Sequence, residues 1–250
     1  MFDLSVTLTE FFVLLLSSFL GSLLTSSLGV GGGALVLVIM ASILPPSVLI
    51  PVHGMVQLGS NGFRLWLTKK HVQPSRVVPF LLGALLATII GLLFIGNMVF
   101  KWLPLIVGLF ILWLCWGNMP ALKIGQTRLG MFIGGVTTTL ASIFVGASGP
   151  LVAAWLNVNG ANRWHYTANF AASMTAQHTV KLIVFGAAGF IFSEWLVLVA
   201  AMIFCGYLGT KIGLHMLERI PQGYLKVGFR IVLTLLALRL LWVNYAELVF

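Results

Sequence analysis

Acidic side chains are what this sequence has least of. Five of its 250 residues are Asp or Glu, against fourteen Lys or Arg. Glu10, Glu194, Glu218 and Glu247 all stand near the ends of apolar segments, and Asp3 lies at the N-terminus. An intramembrane carboxylate, the usual proton relay or sodium seat, is therefore missing. The same scarcity argues against an intramembrane enzyme: there is no buried Asp/Glu pair, no metal-ligand cluster and no nucleophile elbow. The two cysteines, Cys115 and Cys205, sit in apolar segments far apart and read as packing residues, not as a disulfide or a metal pair. Charged residues make up 8% of the chain, where a soluble domain carries about 25%, so no separate soluble domain is expected. The first residues, Met1-Phe2-Asp3-Leu4, lack a basic leader region, and no small-residue cleavage site follows. The first apolar segment is therefore expected to remain as a span.

What is present is apolar length. Hydrophobic residues make up 60% of the chain, the mean hydropathy is +1.07, and apolar runs of about 18 residues or more recur from end to end. This predicts an all-α polytopic membrane protein, multi-pass in the cell (inner) membrane. The net charge of +9 is scattered over short loops and helix ends, with Lys69-Lys70 the densest pair. Membrane topology accounts for it better than nucleic acid does. The expected partner is the lipid bilayer, with no nucleic acid. A homo-oligomer is compatible with the sequence but not required by it.

Spans are predicted at Thr7 to Leu28, Val48 to Leu67, Val77 to Ile95 and Trp102 to Trp116, with a short apolar piece from Ala34 to Leu44. The segment 119–128, carrying Pro120, Lys123 and Arg128, is the one linker, and after it the pattern begins again. A shift of 116 residues lays Gly33-Ala34-Leu35-Val36 on Gly149-Pro150-Leu151-Val152. The chain thus divides into a first repeat (5–118), a cytoplasmic linker (119–128) and a second repeat (129–245). Lys69, Lys70 and Arg76 mark one loop of the first half as cytoplasmic, and its counterpart from Gly189 to Glu194 has no basic residue. Lys211, Arg219 and Lys226 mark a different loop of the second half. Equivalent loops on opposite sides mean an inverted repeat, with both termini outside. The alternative is a parallel repeat with a loose charge bias. Inversion requires an odd number of crossings per half, yet Ala34 to Leu44 is only about 16 Å long as a helix and its partner, Leu151 to Val158, is shorter. Neither crosses a core of about 30 Å. Paired short, broken helices near the midplane are the sequence mark of a transporter's substrate site.

The break itself is Gly29-Val30-Gly31-Gly32-Gly33, four glycines in five residues. Each costs about 1 kcal/mol against alanine inside a helix, so the cluster points to a backbone that opens and offers N–H groups at a new helix start. Close helix packing through small residues is the competing explanation. The predicted substrate contacts are Gly31, Gly32 and Gly33, with Gly146, Ser148 and Gly149 in the second copy. His53, Gln57, Ser60, Asn61 and Arg64 then share one face of the following helix, at offsets of 4, 7, 8 and 11 from His53. The matching positions are Asn169, Ser173, Gln177 and, one residue out of step, Lys181, with His178 adjacent. Such a stripe must face protein or water. Taken singly, His53 reads as a helix–helix hydrogen bond, Arg64 as a snorkelling cation and the amides as interhelical glue worth about 0.6 kcal/mol each. Repeated after a repeated break, they read as a site: His53, Gln57, Asn61, Asn169, Ser173 and Gln177 line it, and Arg64 and Lys181 attract anions from opposite faces.

These residues bring the chain close to a known family. It resembles the TauE/SafE family of sulfite exporter-like permeases, also grouped as the TSUP superfamily. The resemblance rests on Gly29 to Gly33, on the weaker echo Gly146 to Gly149, and on Pro51-Val52-His53-Gly54-Met55-Val56-Gln57. It covers nearly the whole chain in length, hydropathy and duplication. It implies transport of a small sulfur-containing anion (sulfite, sulfoacetate or a related organosulfonate) without a bound cofactor. Family members often carry a proline a few residues past the glycines, where this chain has Ile39 and Met40, and the second cluster here is Gly-Ala-Ser-Gly. The expected function is an anion permease, not an enzyme, exporting by alternating access on the membrane potential or with a proton carried by His53 or His178. A passive anion channel is the alternative.

Overall fold

A computed structural model describes residues 6–97, 100–117, 123–156, 162–217 and 222–249. Several residues used above lie outside these: Asp3, residues 119–122 of the linker, the Val158 end of the second short segment, Glu218 and Arg219. The side chains of Lys123, Lys226 and Glu247 are likewise outside the description. Ten α-helices follow in order: α1 (Leu8–Leu28), α2 (Gly32–Ala41), α3 (Pro46–Thr68), α4 (Pro74–Phe94), α5 (Leu103–Trp116), α6 (Arg128–Phe144), α7 (Gly149–Leu156), α8 (Arg163–Ala187), α9 (Leu196–Met216) and α10 (Gln222–Val249). There is no strand among the described residues.

Local chemistry sets the boundaries. Thr7 caps α1 by accepting from the Glu10 N–H, and the Glu10 carboxylate accepts from the Thr7 N–H at 2.8 Å, a closed capping box. Pro46 and Pro74 stand in the first turns of α3 and α4, where a missing N–H costs nothing. Ser42 ends α2, its hydroxyl donating to the Val38 carbonyl at 3.0 Å.

Four stretches are long and apolar enough to cross a membrane: Leu8–Leu28, Pro74–Phe94, Phe192–Met216 and Val227–Tyr245. The two longest helices of the interior, α3 with 23 residues and α8 with 25, are not among them. Their polar stripes lower the hydropathy, and the fold answers by enclosing them. His53, Gln57, Ser60, Asn61 and Arg64 on α3 are all buried, as are Asn169, Ser173, Gln177, His178 and Lys181 on α8. Much of the apolar surface of α4 faces outward instead, Leu93 being 70% exposed, while Phe80, Ala84 and Ala87 are buried. This is an all-α polytopic membrane protein in which polar helices are wrapped by apolar ones.

The packing is reciprocal. α3 lies against α8, and α5 against α10. α1 packs on α9 and α4 on α6; α3 packs on α9 and α8 on α4; the short helices α2 and α7 rest on α3 and α8. Exchanging α1–α5 for α6–α10 turns this set of partners into itself.

Glycine sets the distances within the outer pairs. A Cβ on Gly209 of α9 would overlap the Phe19 carbonyl of α1, and one on Gly213 would crowd the Leu23 carbonyl. In the other pair, Gly83 of α4 meets the Phe132 carbonyl and Gly135 of α6 the Phe80 carbonyl in the same way. Both pairs are thus backbone-to-backbone contacts. Gly83→Val and Gly209→Val should each destabilise the purified protein by about 1–3 kcal/mol through overpacking, read as lower melting temperatures in detergent. Gly62→Ala, where a Cβ would meet nothing within 4 Å, should leave the melting temperature unchanged.

Candidate functional site

Two breaks in the helical path build the site. α1 ends at Gly29 (φ +90°), and α2 begins after Gly31 (φ +112°) with no side chain capping its first turn. Both conformations are left-handed and suit only glycine. The space agrees: a Cβ at Gly29 would press on the Tyr166 ring and one at Gly31 on the Phe229 ring. In the second half Gly146 takes the same conformation, φ +93°, between α6 and α7. A small cavity with a free volume of about 20 Å³ lies where the two new helices start. That is room for about one water molecule.

Both breaks contribute to the wall. Gly31, Gly33 and Ala34 come from the first, and the run 146–150 from the second. His53, Gln57 and Asn61 of α3 form the polar side. Opposite them stand Phe170, Met174 and His178 of α8, with Thr25 of α1 between. The cavity therefore has two uncapped or newly opened helix starts, a polar face and a partly apolar face. Helix starts favour negative charge through their free N–H groups and dipoles.

Most of the expected residues of the first half meet here. His53 bonds the Gly33 carbonyl oxygen through Nε2 at 3.0 Å, and Asn61 donates to the Gln57 carbonyl at 2.8 Å. Gly32 is the exception: it faces α1, where a Cβ would overlap the Gly21 carbonyl, so it is a packing glycine. In the second half Gly146, Ser148 and Gly149 line the cavity. Gln177 stands one layer behind, accepting from the Ser148 hydroxyl at 2.6 Å and donating to Thr138. Ser173 is buried away from the cavity wall, with no hydrogen-bond partner. Asn169 lies elsewhere and closes a reciprocal amide pair with Gln73 at the start of α4, both bonds 2.8 Å.

The cavity face of α8 is thus one residue further round than the sequence comparison places it. Shifted by 117 instead of 116, His53, Gln57, Asn61 and Arg64 fall on Phe170, Met174, His178 and Lys181. The same shift joins the left-handed Gly29 to Gly146 and the start of α2 at Gly32 to the start of α7 at Gly149. The letter match of Gly33, Leu35 and Val36 to Gly149, Leu151 and Val152 had favoured 116. Lys181, out of step at 116 and in step at 117, was the available signal for Phe170, Met174 and His178.

Charge completes the site. Arg64 is 1% exposed and Lys181 0%. Arg64 donates through Nε to Ser26 at 3.0 Å and through Nη1 to Asn61 at 3.1 Å, while Lys181 donates to the Gly146 carbonyl at 3.2 Å. Each cation thus touches a residue of the cavity wall or of the break beside it, and each of these partners is neutral. The described carboxylates, Glu10 at the start of α1 and the exposed Glu194, are held elsewhere in the fold. A buried cation left without a countercharge is costly.

Comparison with known proteins identifies a family. The model of the family described as "Sulfite exporter TauE/SafE" matches residues 14–240. Comparisons with curated proteins and with solved structures found no match. With two glycine breaks meeting at a cation-flanked cavity, and a family match across nearly its whole length, the chain belongs to the TauE/SafE sulfite exporter family.

Proposed function

We propose that the protein is a permease that moves sulfite or a small organosulfonate out across the cell (inner) membrane by alternating access. The observation that carries this reading is the pair of buried cations, Arg64 and Lys181, without carboxylate partners at a cavity formed by two helix starts. Family membership supports a sulfur-containing anion as cargo. The polar wall of His53, Gln57 and Asn61 suits the oxygens of such an anion, and Phe170 and Met174 suit sulfur or a short alkyl group. An anion leaving an inside-negative cell gains about 2.3 kcal/mol per charge per 100 mV, so the membrane potential favours export. A cavity with a free volume of only about 20 Å³ favours a carrier over a standing channel. A flux screen in liposomes tests the cargo: sulfite and methanesulfonate should move at least tenfold faster than through protein-free vesicles.

Within this reading the two halves are inverted repeats, 5–118 and 129–245, joined by a cytoplasmic linker. The reciprocal packing of α1–α5 and α6–α10 supports two equivalent halves, and the distribution of lysine and arginine supports their inversion. Lys70 and Glu194 are exposed on equivalent turns. With Cys115 and Cys205 replaced by alanine, single cysteines at Lys70 and Glu194 should label from opposite sides, Lys70 from the cytoplasm. Labelling from one side would make the repeat parallel.

The cations act as paired attractors. Arg64 lies toward the C-terminal end of α3 and Lys181 in the second half of the antiparallel α8, where it packs beside Gly54 near the start of α3. This separates them along the α3–α8 pair, and with the repeats inverted Arg64 is assigned to the cytoplasmic side and Lys181 to the exterior. Little water surrounds either, so their attraction for an anion is stronger than in bulk solvent. Arg64→Gln should raise the apparent KM about tenfold for transport from the cytoplasmic face and little from the other; Lys181→Gln should do the reverse. Sided flux in oriented vesicles reads both, and equal effects from both faces would make the cations structural.

A further inference from the structure

His53 has a hydrogen-bond requirement that an anion alone does not meet. Its Nε2 lies 3.0 Å from the Gly33 carbonyl oxygen. A carbonyl oxygen only accepts, so Nε2 carries a hydrogen, and in a neutral imidazole Nδ1 is then a bare lone pair. That Nδ1 is buried without a partner among the described residues, on a ring that lines the cavity. An anion oxygen also presents lone pairs, and two facing lone pairs make no bond. Two arrangements resolve this. Either the anion brings an O–H that donates to Nδ1, or the imidazole takes up a proton and donates N–H to the anion. Both hold one proton between Nδ1 and an anion oxygen.

The neighbouring groups leave this role to His53. α8 presents His178, its ring centroid 6.1 Å away, and Lys181, whose stem packs on Gly54. His178 has both ring nitrogens unpartnered, so its neutral form already offers one donor and one acceptor and needs no added proton. Lys181 supplies charge, and its recorded bond goes to Gly146. On α3 itself, Arg64 is bonded to Ser26 and Asn61. α2 has no ionisable side chain, and that of α1, Glu10, sits in its first turn. α9 meets α3 further along, with Ile203 at Gly59 and Tyr207 against Phe63. Lys101 and Glu194, on the short turns that pack on α3, are exposed.

We propose that the site binds its anion together with one proton, held between an anion oxygen and Nδ1 of His53, so that anion and proton cross together. This rests on the permease reading above. A dianion such as sulfite then crosses with one net negative charge, and the membrane potential still favours its exit. The proton is shared and returned to water with the anion, and no covalent bond changes.

The test uses the full-length protein in liposomes holding equal sulfite on both sides, with the potential clamped at zero by potassium and valinomycin. A pH difference of one unit, acid outside, should drive sulfite inward toward a tenfold accumulation, the limit for one proton per anion. Flux in protein-free vesicles is subtracted as passive leak. His53→Phe should lose the pH-driven accumulation, whereas a change at a histidine outside the site, His215→Phe on the exposed side of α9, should keep it. A second measurement needs no transport: calorimetry in two buffers of different ionisation heat, at a pH where sulfite is mainly the dianion. Wild type should take up about one proton per sulfite bound. His53→Phe should bind without it, or at least tenfold more weakly. Wild-type binding or flux without proton movement would overturn the proposal and leave the permease reading standing, as would an undiminished proton in His53→Phe. A wild type that neither binds nor moves sulfite would overturn both.

Discussion

Ten polar side chains in the middle of a lipid-soluble protein form the constraint on which the rest of this structure depends. Five on α3 and five on α8, Arg64 and Lys181 among them, are all buried. In hydrocarbon each would be left without a hydrogen-bond partner or a countercharge, so these helices belong inside. The apolar helices α1, α4, α6 and α9 are what make an inside. They pair as α1 with α9 and α4 with α6, and they close on the polar pair through α3–α9 and α4–α8 contacts. Lipid itself gives no hydrophobic force between helices, so these contacts rely on close fit, supplied by Gly83, Gly135, Gly209 and Gly213 against facing backbone.

The breaks follow from the same constraint. A helix start carries free N–H groups that lipid does not satisfy, so it must be enclosed or given a ligand. Both starts, at Gly32 and Gly149, are turned toward the polar pair, and the left-handed glycines at 29, 31 and 146 make the turns possible. The cavity thus gathers helix N-termini and an imidazole lone pair in its wall, with two cations bonded to its wall or to the break beside it. On the proposed reading an anion answers all three, the last by arriving with a proton. An interior of this kind discriminates by what it leaves unpaired as much as by what it contacts.

Much of this was legible in the sequence, because lipid allows few solutions. Apolar length fixed the spans: Thr7 to Leu28 was expected and α1 is Leu8–Leu28; Val48 to Leu67 was expected and α3 is Pro46–Thr68. The glycine cluster marked the break, and the period of His53, Gln57, Asn61 and Arg64 marked an enclosed face, because the helical repeat alone sets which side chains share a side. What only the tertiary structure decided is how faces and short segments meet. Letter identity at Gly33, Leu35 and Val36 favoured a shift of 116, but the backbone of the breaks corresponds at 117, and one residue turns a helix by about 100°. That rotation brings Phe170, Met174 and His178 to the cavity, moves Gln177 behind Ser148 and sends Asn169 to Gln73. It could not be read from composition, since both faces of α8 carry polar side chains and both are buried. Gly32, likewise, went to packing against Gly21 because α1 passes there, a fact of the neighbouring helix and not of the glycine cluster. Local sequence determined where the backbone breaks and which side chains need shelter; the neighbours supplied by the fold decided which of them face the cavity.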